Sequence, residues 1–195
     1  MPQDAVPGSY LHPRSLVVGS TSSGLTARGP EMSVEIPDGT QTIVRRTLRA
    51  PVSTVYRAFI DPFDMAAWMW GPLAKNPAAE VDLRIGGRYS VYIDATEGDD
   101  GWPGDRWGVT GVYAIIEPES RLVYTVHWDA PVGYNQVEGG AMVLDEVLIV
   151  EFAETTEGTE VVIRHAGIPD DGVSAEEHGK GLDATLDSLA DLVEG

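Results

Sequence analysis

From residue 41 onward, apolar and polar positions alternate in short, regular blocks. Thr42–Leu48 is rich in β-branched residues and bounded by Gly39 and Pro51, which predicts a strand. In Val52–Ile60, Val55, Ala58 and Phe59 recur at helical spacing, with Ser53 or Thr54 available as the cap. Asp61-Pro62 starts a second helix, Asp61 as cap and Pro62 at the first helical position. Phe63, Ala66, Ala67 and Trp68 form its apolar side, and Gly71-Pro72 stops it. Strands are then expected over Val81–Ile85 and Tyr89–Ile93, joined at Gly86-Gly87, and over Trp107–Ile116. In the next strand Leu122, Tyr124, Val126 and Trp128 alternate with Val123, Thr125 and His127, so His127 falls on the opposite face. Val143–Phe152 and Thr159–His165 complete the set, joined by the turn Thr155–Gly158. Glycine-rich loops, Thr96–Arg106 and Asp129–Ala141, interrupt the series. Ser174 and Glu177 have the spacing of a capping box, and Leu182, Leu186, Leu189 and Val193 make one apolar stripe on a helix from about Ser174 to Val193. That stripe must bury itself, and the sheet offers the only large surface. The pattern predicts an α+β fold: a curved antiparallel sheet of six or seven strands, two short helices after the first strand, and a long C-terminal helix across the sheet.

Residues 1–40 follow no such pattern. Pro2, Pro7, Pro13, Pro30 and Pro37 break any helix, and Gly, Ser and Thr dominate 19–29. A flexible extension is expected here, or a chain whose translation starts at Met32, with the domain spanning 41–195.

Composition narrows the classes. With 195 residues, 43% of them hydrophobic, the chain can bury a sizeable core. Without cysteine it can hold no disulfide, thiolate nucleophile or Cys-ligated metal. The 31 acidic against 13 basic residues give a net charge of −18, which repels phosphate backbones and anionic lipid. Neither nucleic acid nor membrane is an expected partner. No apolar run reaches the roughly 18 residues of a membrane span, and the expectation is a cytoplasmic, bacterial protein, a monomer or homodimer.

The ordered motifs resemble a known family. They are Ala50-Pro51 before a helix with Val55 and Phe59, then Asp61-Pro62, then Ala67-Trp68-Met69-Trp70-Gly71-Pro72. Asp82-Leu83-Arg84-Ile85-Gly86-Gly87-Arg88-Tyr89 follows, then Gly111-Val112-Tyr113, Glu117-Pro118, Arg121–Thr125, Val150-Glu151-Phe152, Thr159 and His165. In this order they resemble the helix-grip fold of the START and Bet v superfamily (SRPBCC), in the branch named after the activator of heat-shock-protein-90 ATPase. The resemblance covers about 42–195. Two departures stand out: Met69 separates Trp68 from Trp70, and Leu182 replaces the usual tryptophan after His178-x-x-Gly181. The resemblance implies a cavity between sheet and last helix that holds a small hydrophobic or aromatic molecule.

Counting by twos places Glu146 and His165 on the face of Leu148, Val150, Phe152, Val161 and Ile163. If Glu154 pairs with Thr159, Leu148 lies opposite His165 and Glu146 lies diagonal to it. Such a pair fits general acid–base work, each holding the other near neutrality, or a merely structural hydrogen bond. Trp102 and Tyr134 in the two loops are expected to close the cavity mouth, with Trp107, Tyr113, Trp128, His178 and Leu182 lining it. No metal or other cofactor is expected, because the histidines share no ligand spacing and the Asp99, Asp100 and Asp105 cluster lacks a calcium-loop cadence. The leading reading is a small-molecule binder. The alternatives are a cavity enzyme of polyketide cyclase or dehydratase type using Glu146 and His165, and a chaperone ATPase accessory.

Overall fold

The computed structural model describes residues 40–71, 74–94, 106–129 and 146–195. Trp102, Tyr134, His12, the Asp99–Asp105 loop and the N-terminal extension lie outside them. The strands are β1 (Thr40–Leu48), β2 (Lys75–Val81), β3 (Arg88–Asp94), β4 (Arg106–Glu117), β5 (Arg121–Asp129), β6 (Glu146–Thr155) and β7 (Gly158–Ile168). The helices are α1 (Val52–Ala58), α2 (Pro62–Trp68) and α3 (Ser174–Glu194). One antiparallel sheet runs β1-β7-β6-β5-β4-β3-β2. From the edge strand β1 the chain crosses through α1 and α2 to the far edge, then returns strand by strand until β7 pairs with β1. This is the curved α+β architecture that the periodicity predicts.

The core is the inner sheet face and the sides of the helices turned to it. Leu186 and Leu189 of α3 are fully buried, while Leu182 and Val193 pack on the core at its margin. Phe152 meets the rings of Tyr56 and Phe59 edge-on at 5.5 and 5.2 Å, which seats α1 on the sheet. The Thr159 hydroxyl donates to the Ala50 carbonyl at 2.8 Å, and the Trp68 indole to the Ala58 carbonyl at 2.8 Å, so buried polar atoms here are paired.

Local readings hold or fail for identifiable reasons. Asp61 caps α2 as expected, accepting from the Phe63 and Asp64 amides. The side chains that bury α2 are Met65 and Trp68; Phe63 is 85% exposed. No side chain caps α1, whose N-cap is Pro51, so neither Ser53 nor Thr54 serves. The expected capping box of α3 is also absent: Asp171 accepts from the Val173 and Ser174 amides and from the Ser174 hydroxyl. The strand expected at Val81–Ile85 lies earlier, at Lys75–Val81. Pro77 and Asn76 (φ 48°) obscure it, and both are tolerated because β2 is an edge strand with an irregular register there. Asp82–Gly87 is a turn, with Gly86 at φ 76°, and it leaves Leu83 and Ile85 exposed.

Candidate functional site

Four elements bring their polar residues to one point of the inner face. Glu146 opens β6 opposite Val126. On β7, His165 lies opposite Leu148 on one side and Thr42 of β1 on the other, diagonal to Glu146 as the sequence count predicts. The carboxylate Oε2 and His165 Nε2 are 2.5 Å apart. The Trp128 indole, near the end of β5, donates to the same oxygen at 3.1 Å. From α3, His178 turns Nε2 toward Glu146 Oε1 at 3.6 Å. Its Nδ1 lies 2.7 Å from the Ser174 carbonyl, which can only accept, so Nδ1 carries a proton.

A glycine makes this approach possible. A Cβ on Gly179 would lie 2.9 Å from the Thr42 hydroxyl oxygen, so a larger residue there would force Thr42 to turn or α3 to shift away from β1. Arg46, two same-face steps beyond Thr42 along β1, forks to Asp183 and Asp187 of α3 at 2.7 Å each and sets the helix's rotation about its axis.

Glu146 is 2% exposed. Burial drives its proton affinity up, but hydrogen bonds from His165 and His178, the charge of His165 and the Trp128 bond outweigh that and hold its pKa at about 2. This corrects the expectation of a coupled pair near neutrality. His178 is raised above its ordinary value, first by its bond to Glu146, against the opposing effect of burial. A carboxylate held so low is an anchor of negative charge and a weak proton acceptor.

Around the cluster runs an aromatic wall. The rings of Trp70 and Trp128 meet edge-on at 6.2 Å, Trp128 and His178 at 6.1 Å, and His178 and His165 at 5.0 Å. Tyr89, Tyr113 and Tyr124 form a second group, with centroids 5.2–5.8 Å apart. Three buried polar atoms here have no partner among the described residues: His165 Nδ1, Trp70 Nε1 and the Tyr113 hydroxyl.

Of the remaining expected site residues, Leu148 sits beside His165, and Val150 pairs with Ile163 one step further on. Trp107 is half-buried and shares the face of Val109 by alternation. Phe152 and Val161 belong to the packing around α1. Phe152 lies six residues along β6 from Glu146, about 20 Å at roughly 3.3 Å per residue. Trp102 and Tyr134 lie outside the described residues. His127 is exposed, as its alternation predicts. Trp70 was legible only as part of a motif, and the contact of His178 with Glu146 had no sequence signal. The spacing argument against a metal also loses its force, since Glu146, His165 and His178 offer ligand atoms within 4.8 Å of one another from three separate elements. On the outer face a depression of about 490 Å³ includes Arg45, Arg121, Glu117 and Glu160. Its charges pair with each other, Arg45 with Glu160 at 2.7 Å and Arg121 with Glu117 at 2.9 Å. No described helix is long and apolar enough to cross a membrane.

No curated protein matches this chain significantly. Solved structures do. A protein of Chromobacterium violaceum is 28% identical, with 80% of this chain and 99% of that one aligned at a TM-score of 0.61. The AHSA1-like protein of Aeromonas hydrophila, solved by NMR, is 20% identical over 80% of this chain and 92% of its own, at 0.60. A protein of Rhodobacter sphaeroides is 17% identical over 82% and 97%, at 0.61. The last two likenesses, at such identity, report a common fold. The profile of the family described as Activator of Hsp90 ATPase homolog 1-like protein matches residues 49–194, from the end of β1 to the end of α3. With the motif order and the helix-grip sheet in agreement, this chain belongs to the Activator of Hsp90 ATPase homolog 1-like family.

Proposed function

We propose that the protein binds a small, mostly apolar molecule between the inner sheet face and α3, with an oxygen-bearing end turned to Glu146, His165 and Trp70. One observation carries this reading. A fully buried glutamate, two imidazoles and an indole N–H stand together in a mainly apolar core, and neighbouring His165 Nδ1 and Trp70 Nε1 have no partner among the described residues. Such a cluster costs stability that apolar residues would not, and unpaired buried polar atoms each cost roughly 1–3 kcal/mol, so recognition is the reason to keep them. The aromatic wall from Trp70 to His165 supplies flat contact area for a ring or chain.

The 2.5 Å contact between Glu146 and His165 favours one second reading, acid–base catalysis on the bound molecule. Binding is preferred because a carboxylate stabilised by three donors gives up that stabilisation on taking a proton. Native mass spectrometry of the full chain purified from its own host tests both. A binder retains a compound that is released chemically unchanged and that His165→Ala holds more weakly. An enzyme turns the compound over, and His165→Ala slows it by about a hundredfold or more. No retained compound, together with no saturable uptake of a neutral apolar dye such as Nile red, would refute the proposal.

A further inference from the structure

We infer that Glu146, His165 and His178 form a binding site for a divalent first-row transition ion, with two imidazole nitrogens and one carboxylate oxygen as ligands and at least one coordination position left open. The argument is geometric and independent of the organic ligand. One donor atom from each residue lies within 4.8 Å of the others, on β6, β7 and α3. His178 Nε2 and Glu146 Oε1, at 3.6 Å, are already close to the roughly 3.3–3.4 Å edge that bonds of about 2.0–2.1 Å make in a tetrahedron. His165 Nε2 lies 2.5 Å from the other carboxylate oxygen, Oε2, so the carboxylate stands between the two imidazoles, and an ion held by Oε1 would take the place of that hydrogen bond.

The outer partners are those of a metal site. The Ser174 carbonyl takes the Nδ1 proton of His178 and so fixes Nε2 as the nitrogen facing the carboxylate. The Trp128 indole donates to the carboxylate and orients it. Ligating imidazoles and carboxylates are commonly held in this way by a second set of hydrogen bonds. Among the described residues no lysine or arginine pairs with Glu146, and Arg46, further along β1, is committed to Asp183 and Asp187. Two nitrogens and one oxygen suit zinc, iron(II) or cobalt(II), and fit poorly to magnesium or calcium, which take oxygen sets. Three protein ligands leave room for a water or for an oxygen of a bound molecule, the arrangement of open rather than structural sites.

The experiment uses the untagged full chain and Co²⁺, whose visible absorption is strong in four- or five-coordinate sites and weak in six-coordinate ones. The expected result is one Co²⁺ per chain with strong bands, displaced by Zn²⁺. His178→Ala and Glu146→Gln should each weaken binding by more than about a hundredfold, and Trp128→Phe by about ten- to a hundredfold. His127→Ala, at an exposed position, should leave it unchanged. Circular dichroism checks that each variant is folded. Should the ligand variants fail to fold, histidine NMR on the parent decides the matter, because Zn²⁺ should shift the ring signals of His165 and His178 and leave those of His12 and His127 in place. Weak bands with no fixed stoichiometry, uptake that persists in folded His178→Ala, or unshifted His165 and His178 signals would each overturn the inference.

Discussion

Gly179 allows a test of how α3 is seated, because the effect of one substitution should change sign with its neighbour. Glycine inside a helix is about 1 kcal/mol less favourable than alanine, so on propensity alone Gly179→Ala should stabilise. In this fold the new Cβ would lie 2.9 Å from the Thr42 hydroxyl oxygen, inside the closest approach that real contacts show. Relieving that overlap, by moving α3 or turning Thr42, costs about 1–3 kcal/mol, the usual range for overpacking. The net change is a loss of roughly 0–2 kcal/mol. In a Thr42→Ala background the hydroxyl is gone, and the next atom, the residue 42 Cβ at 3.9 Å, is at ordinary contact distance. There Gly179→Ala should stabilise by about 1 kcal/mol. The four proteins of this cycle, unfolded in urea and by heat, should show a coupling of about 1–3 kcal/mol, well outside the roughly 0.3–0.5 kcal/mol scatter of independent sites. At about 2–4 °C per kcal/mol for a chain of this size, the sign change is visible in Tm alone. Equal stabilisation by Gly179→Ala in both backgrounds would refute the close seating of α3 on β1, and with it the placing of His178 over His165.

Leu186 is fully buried in the middle of α3, so Leu186→Asp should abolish cooperative folding; a soluble, cooperatively melting variant would count against the helix-grip packing. Trp128→Phe keeps an aromatic ring but removes the indole bond to Glu146, and should cost about 1.5–3 kcal/mol in urea unfolding at pH 7; an unchanged midpoint would mean the bond contributes nothing. Asp171 is held at about 2 by the Ser174 hydroxyl and by the Ser174 and Val173 amides, a folded value below its unfolded one. Its contribution should therefore be complete above about pH 4 and fade as pH falls toward 2, so the Tm difference between the parent and Asp171→Ala should shrink over that window. A chain beginning at Met32 should melt within a few degrees of the full chain, since residues 1–31 lack the composition to support a core; a large drop would show that they pack on something.

How much of this was legible beforehand depended on how local the determinant is. The pair Glu146 and His165 could be found by counting back from the turn at 155–158, because a two-residue period and a tight turn fix register across β6 and β7. Asp61-Pro62 announced α2 for the same reason: cap and first-turn proline act within four residues. The edge strand β2 was misplaced because Asn76 and Pro77 erase the strand signal where an edge tolerates them. The start of α3 at Ser174 was legible but its cap was not, because the cap comes from Asp171, outside the spacing of a capping box.

His178 is a different case. It meets Glu146 only because α3 lies at one height and one rotation over the sheet, and that pose is set by contacts far apart in sequence: Gly179 against Thr42, Arg46 against Asp183 and Asp187, and Leu186 and Leu189 in the core. A helix rotated by one residue, about 100°, would turn its leucine stripe out of the core and carry the imidazole off the carboxylate. The residues that seat the helix are therefore also the residues that assemble the site. Gly179, directly after His178, leaves room for α3 to lie close on β1, where two strands and a helix share one buried carboxylate.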